Sequence, residues 1–129
     1  MSNSYRQPWI HQYIKKILSA PVYDVAIETP VDTLPRLSHR LSNYISLKRE
    51  DLQPVFTFKL RGAYNKMMQL APAQKDKGII AASAGNHAQG VALAARKLGI
   101  QATIVMSRTT PSIKVDAVRA RGNWPAPRG

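Results

Sequence analysis

The chain has 129 residues, 44% of them apolar, and no cysteine. This is enough for one small domain with its own core; it argues against disorder and leaves no disulfide framework or thiolate metal site, so no metal is expected. Nineteen Lys and Arg against seven Asp and Glu give a formal charge of +12, which would suit a polyanion. The basic residues are nevertheless scattered from Arg6 to Arg128, with no run longer than Lys15-Lys16 or Lys48-Arg49 and no interleaved aromatic residues for base stacking. They read as solvated surface, with no nucleic-acid partner. No apolar run approaches a membrane span, no membrane partner is expected, and the cysteine-free composition gives a cytoplasmic expectation.

In chain order, Ile10, Tyr13, Ile14, Ile17 and Leu18 recur at helical spacing and predict an amphipathic N-terminal helix instead of a signal peptide. Leu34, Leu37 and Leu41 predict a short helix after Pro35. From residue 44 onward the pattern alternates. "YISLK" (44–48), "GIIAA" (78–82) and "ATIVM" (102–106) predict strands, each followed by a helical period. Leu60, Ala63, Tyr64, Met67 and Leu70 form the first helical stripe, and Ala88, Val91, Ala92, Ala95 and Leu98 the second, which Gly99 ends; a third helix has Pro111 at its first position. The Met67-Met68 pair reads as core packing. The order implies an α/β fold, a parallel sheet with flanking helices, in which all three strands end on one edge. That edge binds ligands in such folds. It would bring the loop leading to Lys59 and the loop Ser83–His87 to one neighbourhood.

In "SAGNHAQG" (83–90), Gly85 permits close approach or a positive φ, Asn86 is a candidate N-cap, and Gln89 three residues on completes a capping box. The loop can open an anion-binding helix or merely a well-capped one. A dinucleotide fingerprint would need glycine at His87, and a P-loop would need Lys and Ser/Thr at Val91 and Ala92. "AASAG" (81–85) approximates a nucleophile elbow, but beyond Ser83 the only histidine is His87, in the same turn. Lys59 stands where a helix begins, beside Phe58 and two residues from Arg61. The dipole, the like charge and partial desolvation there would all favour a neutral, nucleophilic amine, as Schiff-base chemistry requires; a surface lysine packed on Phe58 is the alternative.

Three ordered motifs, "LKREDLQPVFTFKLRGAYNKM" (47–67), "AASAGNHAQGVALAARKLGI" (81–100) and "IVMSRTTPSIKVDAVRARG" (104–122), together resemble the pyridoxal-phosphate-dependent threonine dehydratases (threonine ammonia-lyases) of the tryptophan-synthase-β-like fold, fold type II. The resemblance covers residues 20 to 122. It implies that Lys59 carries pyridoxal 5'-phosphate as a Schiff base and removes the substrate α-proton, that Phe58 lies beside the ring, and that Asn86 hydrogen-bonds the ring's phenolic oxygen. Ser83, Ala84, Gly85, Asn86 and His87 would receive the substrate carboxylate. The implied reaction converts L-threonine to 2-oxobutanoate and ammonia, opening isoleucine synthesis, with L-serine often accepted and a homo-oligomeric parent enzyme. The related serine racemases typically carry a second serine at the position of Ala84, so the resemblance favours dehydration. Thr57 stands where the family usually has serine and keeps the hydroxyl and the N-cap.

Family members continue for hundreds of residues and supply a glycine-rich phosphate cradle and a residue facing the pyridine nitrogen. The expectation is therefore that residues 1–122 are the N-terminal part of the catalytic domain, that 123–129, "NWPAPRG", are an aberrant tail of the kind a shifted reading frame produces, and that this chain does not turn over by itself. The competing expectation is a non-enzymatic basic fragment that associates with other chains or with nucleic acid.

Overall fold

The computed structural model describes residues 8–122, so the tail 123–129 lies outside the described residues. The N-terminal helix α1 runs Pro8–Leu18 and leaves Trp9, Tyr13, Ile17 and Leu18 exposed. A single 3₁₀ turn, Val22–Asp24, follows, then strand β1, Val31–Thr33, helix α2, Pro35–Arg40, and strand β2, Ser46–Lys48. β1 and β2 pair antiparallel, Asp32 opposite Leu47, and the Leu34 N–H donates to the Ile45 carbonyl at 3.0 Å to close the loop that carries α2.

This pairing corrects the expected three-stranded parallel sheet. The strand expected at 44–48 exists, shortened, but it belongs to a separate hairpin-like pair with β1, which the sequence reading did not foresee. The loop around α2 closes through the Leu34–Ile45 bond, which returns the chain alongside β1 and gives β2 that strand as its neighbour.

A second 3₁₀ turn, Glu50–Leu52, leads to helix α3, Lys59–Met68, and then to the short helix α4, Pro72–Asp76. Strand β3, Ile79–Ala82, helix α5, Asn86–Leu98, and strand β4, Ala102–Val105, form the parallel unit that the alternation predicts; helix α6, Ser112–Arg119, follows. β3 and β4 pair in parallel, Ala81 beside Ile104, and the Ser83 N–H extends the ladder to the Val105 carbonyl at 3.0 Å. Pro111 is the N-cap of α6, one place before the expected first position. Gly99 ends α5 in the left-handed region at φ 65°, where a side chain would be strained.

The main core is the seam between α3 and α5. Ala63, Tyr64 and Met67 of α3 meet Val91, Ala94 and Ala95 of α5 with Ile100, and Met68, Ile79, Ala81, Ala102 and Ile104 pack against them. The expected stripes are therefore the buried faces, except that Leu70 lies past the end of α3. Tyr64 donates its hydroxyl to Asp24 at 2.7 Å, and its phenol is pushed up to about 12, first by burial and then by that carboxylate. Two smaller clusters flank the seam: Ala26, Val55 and Leu60 on one side, and Ala88, Ala92 and Val118 on the other, the latter docking α6 on α5. Among the described residues, no helix is long and apolar enough to cross a membrane.

Candidate functional site

The segment that delivers Lys59 is tied down by polar contacts. Lys48 donates its ammonium to the Thr29 carbonyl. Arg49 donates to Asp32 at 2.6 Å and to both oxygens of Asp51 at 2.9 and 2.8 Å, so its guanidinium is held still more firmly protonated, first by Asp51. Glu50 takes a two-pronged donation from Arg61 at 2.9 and 3.1 Å and a third bond from Thr29 at 2.7 Å. Arg61, with Thr29 and Gln53 adding, holds the Glu50 carboxyl down to about 2 against the opposing effect of burial. Gln53, only 1% exposed, accepts from the Ile27 N–H at 3.0 Å and donates to the Ile27 carbonyl at 2.9 Å, acting as a side-chain splint between the two loops. Thus "KREDLQ" is chiefly scaffolding. None of these polar roles was read from the sequence, although two acidic residues and a glutamine wedged between basic ones were a usable signal of pairing.

The splinted loop ends in a turn closed by the Phe56 N–H on the Gln53 carbonyl at 2.7 Å. Phe56 has φ 56°, a left-handed conformation that costs an L-residue about 1–2 kcal/mol. Side chains then alternate: Val55 and Thr57 are buried, Phe56 and Phe58 are 69% and 61% exposed. The Thr57 hydroxyl accepts the Lys59 N–H at 3.3 Å. The N-cap position itself is Phe58, one place later than expected, so Thr57 holds the helix start from just outside it. Lys59 is exposed, and the charge of Arg61 is engaged by Glu50. The burial and the free like charge expected around Lys59 are therefore absent from the described residues.

The second loop leaves β3 at its C-terminal end. Ser83, Ala84 and Gly85 are half-buried, while Asn86 and His87 are exposed. The expected capping box is not formed: Gly85 is the N-cap, no side chain caps the helix, and Asn86 is its first residue. The Gly85 N–H instead donates to the Ser83 hydroxyl oxygen at 3.3 Å. This internal turn uses the donor of residue 85 and moves the helix start one place forward. Gly85 has φ −133°, not a positive value, and a Cβ there would meet nothing within 4 Å. The side chain of Asn86 is thereby free of any cap bond and available to a ligand.

What joins the two loops is Gly90. A Cβ built on it would lie 3.1 Å from the Leu60 nitrogen and 3.2 Å from the Lys59 carbonyl carbon. Its missing side chain lets the second turn of α5 and the first turn of α3 touch backbone to backbone. Lys59 and the Ser83–His87 loop therefore do share a neighbourhood, but through helix packing and not through one sheet edge. A glycine inside an apolar helical pattern signals such close approach, and this one was passed over in the sequence.

The site combines an exposed primary amine, an exposed aromatic face, a free carboxamide and a helix first turn whose N–H groups have no intrahelical acceptors. An amine suits a carbonyl group, the aromatic face a ring, and the N–H groups an anion. Among the described residues no cluster of His, Cys, Asp and Glu could hold a metal ion.

Comparison with known proteins bears on the same segments. Residues 22–123 match the family described as pyridoxal-phosphate dependent enzyme. The biosynthetic L-threonine dehydratase of Burkholderia multivorans is 60% identical over 112 residues, which are 87% of this chain and 22% of that protein. The chain thus spans about a fifth of the length of the curated relatives it matches. The structure of the processed form of threonine deaminase isoform 2 from Solanum lycopersicum superposes with a TM-score of 0.84 at 57% identity, covering 91% of this chain and 32% of that one. Maize serine racemase gives 0.79 at 35% identity, over 86% and 34%. The resemblance to threonine dehydratases and the α/β fold of type II are both borne out. With its three motifs inside the matched region, this chain belongs to the family of pyridoxal-phosphate-dependent enzymes.

Proposed function

We propose that the chain is part of a biosynthetic threonine dehydratase that uses pyridoxal 5'-phosphate to convert L-threonine to 2-oxobutanoate and ammonia. The observation that supports the reading is the Gly90 contact, which packs the backbone of Lys59 against α5, the helix that the Ser83–His87 loop opens. The names and identities of the relatives agree with it.

In this reading Lys59 would hold the cofactor through its Nζ, with the exposed ring of Phe58 and the uncommitted carboxamide of Asn86 as the other groups that would contact it. The cofactor, when bound, supplies an electron sink for the pair left at the substrate α-carbon. The chain's own residues do the rest. The Lys59 amine, released when the substrate's own amine takes its place on the cofactor, would take the α-proton. The first-turn N–H groups of α5, including those of Asn86 and His87, bind the substrate carboxylate, assisted by the helix dipole. The Ser83 hydroxyl, which accepts from the Gly85 N–H, still has its proton to donate to that carboxylate. Gly85 leaves open space in which the substrate approaches the backbone. Ala84 has no exchangeable proton, so nothing at that position protonates the opposite face of the α-carbon, which favours dehydration over racemisation. L-serine, one methyl group smaller, fits the same chemistry.

Phe58, Lys59, Asn86 and His87 are all exposed, so the described residues cover one side of a bound ring and leave water on the other. Cofactor capture is within the reach of these residues, and turnover needs further cover, such as a longer chain or a second subunit supplies. The test is to incubate the purified chain with pyridoxal phosphate, reduce with borohydride and map the adduct by peptide mass. The expected result is modification concentrated at Lys59 and absent in Lys59→Ala. Modification spread evenly over the surface lysines would overturn the assignment.

A further inference from the structure

Phe56 stands in a conformation that glycine or asparagine would adopt at less steric cost, and its side chain is mostly exposed, so burial does not account for it. Its ring does have a partner. The guanidinium carbon of Arg121 lies 5.8 Å from the ring centroid, within cation–π range. Arg121 is itself anchored, donating to the Ala117 carbonyl at 2.7 Å just past the end of α6. Helix α6 is docked on α5 by Val118 against Ala88 and Ala92. The contact therefore ties the third motif to the loop of the first, three residues before Lys59, while Gly90 of the second motif presses on Lys59 from α5.

We propose that Phe56 is a positioning residue for Lys59: its strained turn, held closed by Arg121, turns Thr57 inward to grip the Lys59 N–H and so fixes where the lysine side chain starts. The proposal rests on the reading of Lys59 as the cofactor-bearing lysine. The chain of contacts is continuous: Gln53 is pinned to Ile27, Phe56 closes the turn on Gln53, Val55 and Thr57 are driven into the interior by the alternation, and the Thr57 hydroxyl holds the first N–H of α3. Without the ring, Arg121 no longer holds residue 56 in place, and a backbone free to leave this conformation would release the alternation and with it the grip on Lys59. Local strain retained next to a reactive group is a recognised way of fixing that group before its ligand arrives.

A merely structural contact would make stability and cofactor capture fall together; a positioning residue that stores strain separates them. The experiment compares the full chain with Phe56→Gly, Phe56→Asn, Arg121→Ala and Arg121→Lys, reading thermal midpoint, hydrogen exchange of the Lys59 amide, and the yield of borohydride-trapped pyridoxal phosphate on Lys59. Phe56→Gly and Phe56→Asn should leave the midpoint unchanged or raised, speed exchange at the Lys59 amide at least fivefold, and lower trapping at Lys59 at least threefold. Arg121→Ala should do the same to exchange and trapping, and Arg121→Lys should recover most of both. Unchanged exchange at Lys59 in the Phe56 variants overturns the proposal, as does equal loss of trapping and midpoint. If the unsubstituted chain traps no cofactor on Lys59, the functional reading fails instead, and the exchange rates still decide whether Phe56 positions the lysine.

Discussion

Gly90 of α5 lies against the backbone of Lys59 with no room for a methyl group, the would-be Cβ standing 3.2 Å from the Lys59 carbonyl carbon. The neighbour is the opening turn of another helix, which cannot swing aside as a long side chain can. Gly90→Ala should gain about 1 kcal/mol of helix propensity and lose about 2 kcal/mol to overpacking, a net destabilisation. Chemical denaturation of the two chains checks the sign. A more stable alanine variant would mean that α3 and α5 can separate freely.

Acid should loosen the loop before Lys59. The Glu50 carboxyl is held near 2, below its ordinary value of 4.5. Its contribution is fully present above the unfolded-state value and is lost as pH falls from about 4.5 through about 2, because the unfolded chain then binds the proton first. Glu50→Gln should flatten the stability profile in that window. A profile as steep as that of the unsubstituted chain would place the acid sensitivity elsewhere.

Removing the cation from the same pair should be felt wherever Glu50 is ionised, at neutral pH above all. Arg61→Ala leaves Glu50, whose side chain is 17% exposed, with Thr29 and Gln53 as its remaining partners. The expected cost is about 2 kcal/mol, intermediate between an exposed pair and a fully buried one. Urea denaturation at neutral pH measures it, and Arg61→Lys should recover only part of the loss because the two-pronged geometry needs a guanidinium.

Lys59→Ala should abolish cofactor trapping yet leave the thermal midpoint within experimental error. The side chain is exposed, and among the described residues no hydrogen bond or ion pair of the fold depends on its amine. A large drop in midpoint would mark Lys59 as structural.

Asn86→Ala separates its two expected roles. Since Gly85 is the N-cap and no side chain caps α5, the loss of the carboxamide should cost under about 0.5 kcal/mol, well short of a typical cap. Cofactor affinity, followed by visible absorbance on titration, should fall nonetheless. A loss of stability near 1 kcal/mol with unchanged affinity would restore the capping role.

The residues that could be read from the sequence are those whose signal is local. The stripe Leu60, Ala63, Tyr64 and Met67, the parallel strands around Ile79 and Ala102, and the stop at Gly99 each follow from spacing or from the conformation of one residue. What escaped was non-local. The pairing of Val31–Thr33 with Ser46–Lys48 joins two short, largely exposed strands with little hydrophobic pattern, and the splint of Gln53 across to Ile27 spans 26 residues. The chemistry at Lys59 and Asn86 was legible as residue type and order. Their assembly was attributed to a shared sheet edge because the role of Gly90, one missing methyl group, is visible only when both helices are in place.

Among the described residues the sheet of β3 and β4 has no third strand, so each strand has an outer edge of backbone N–H and C=O groups, and Ile80 on its outward face is 74% exposed. Such an edge is a template for any extended segment that meets it, including the same strand of another molecule. Crowding and heat both raise the frequency of that meeting, so self-association of the purified chain by edge-to-edge strand addition is expected to rise with concentration.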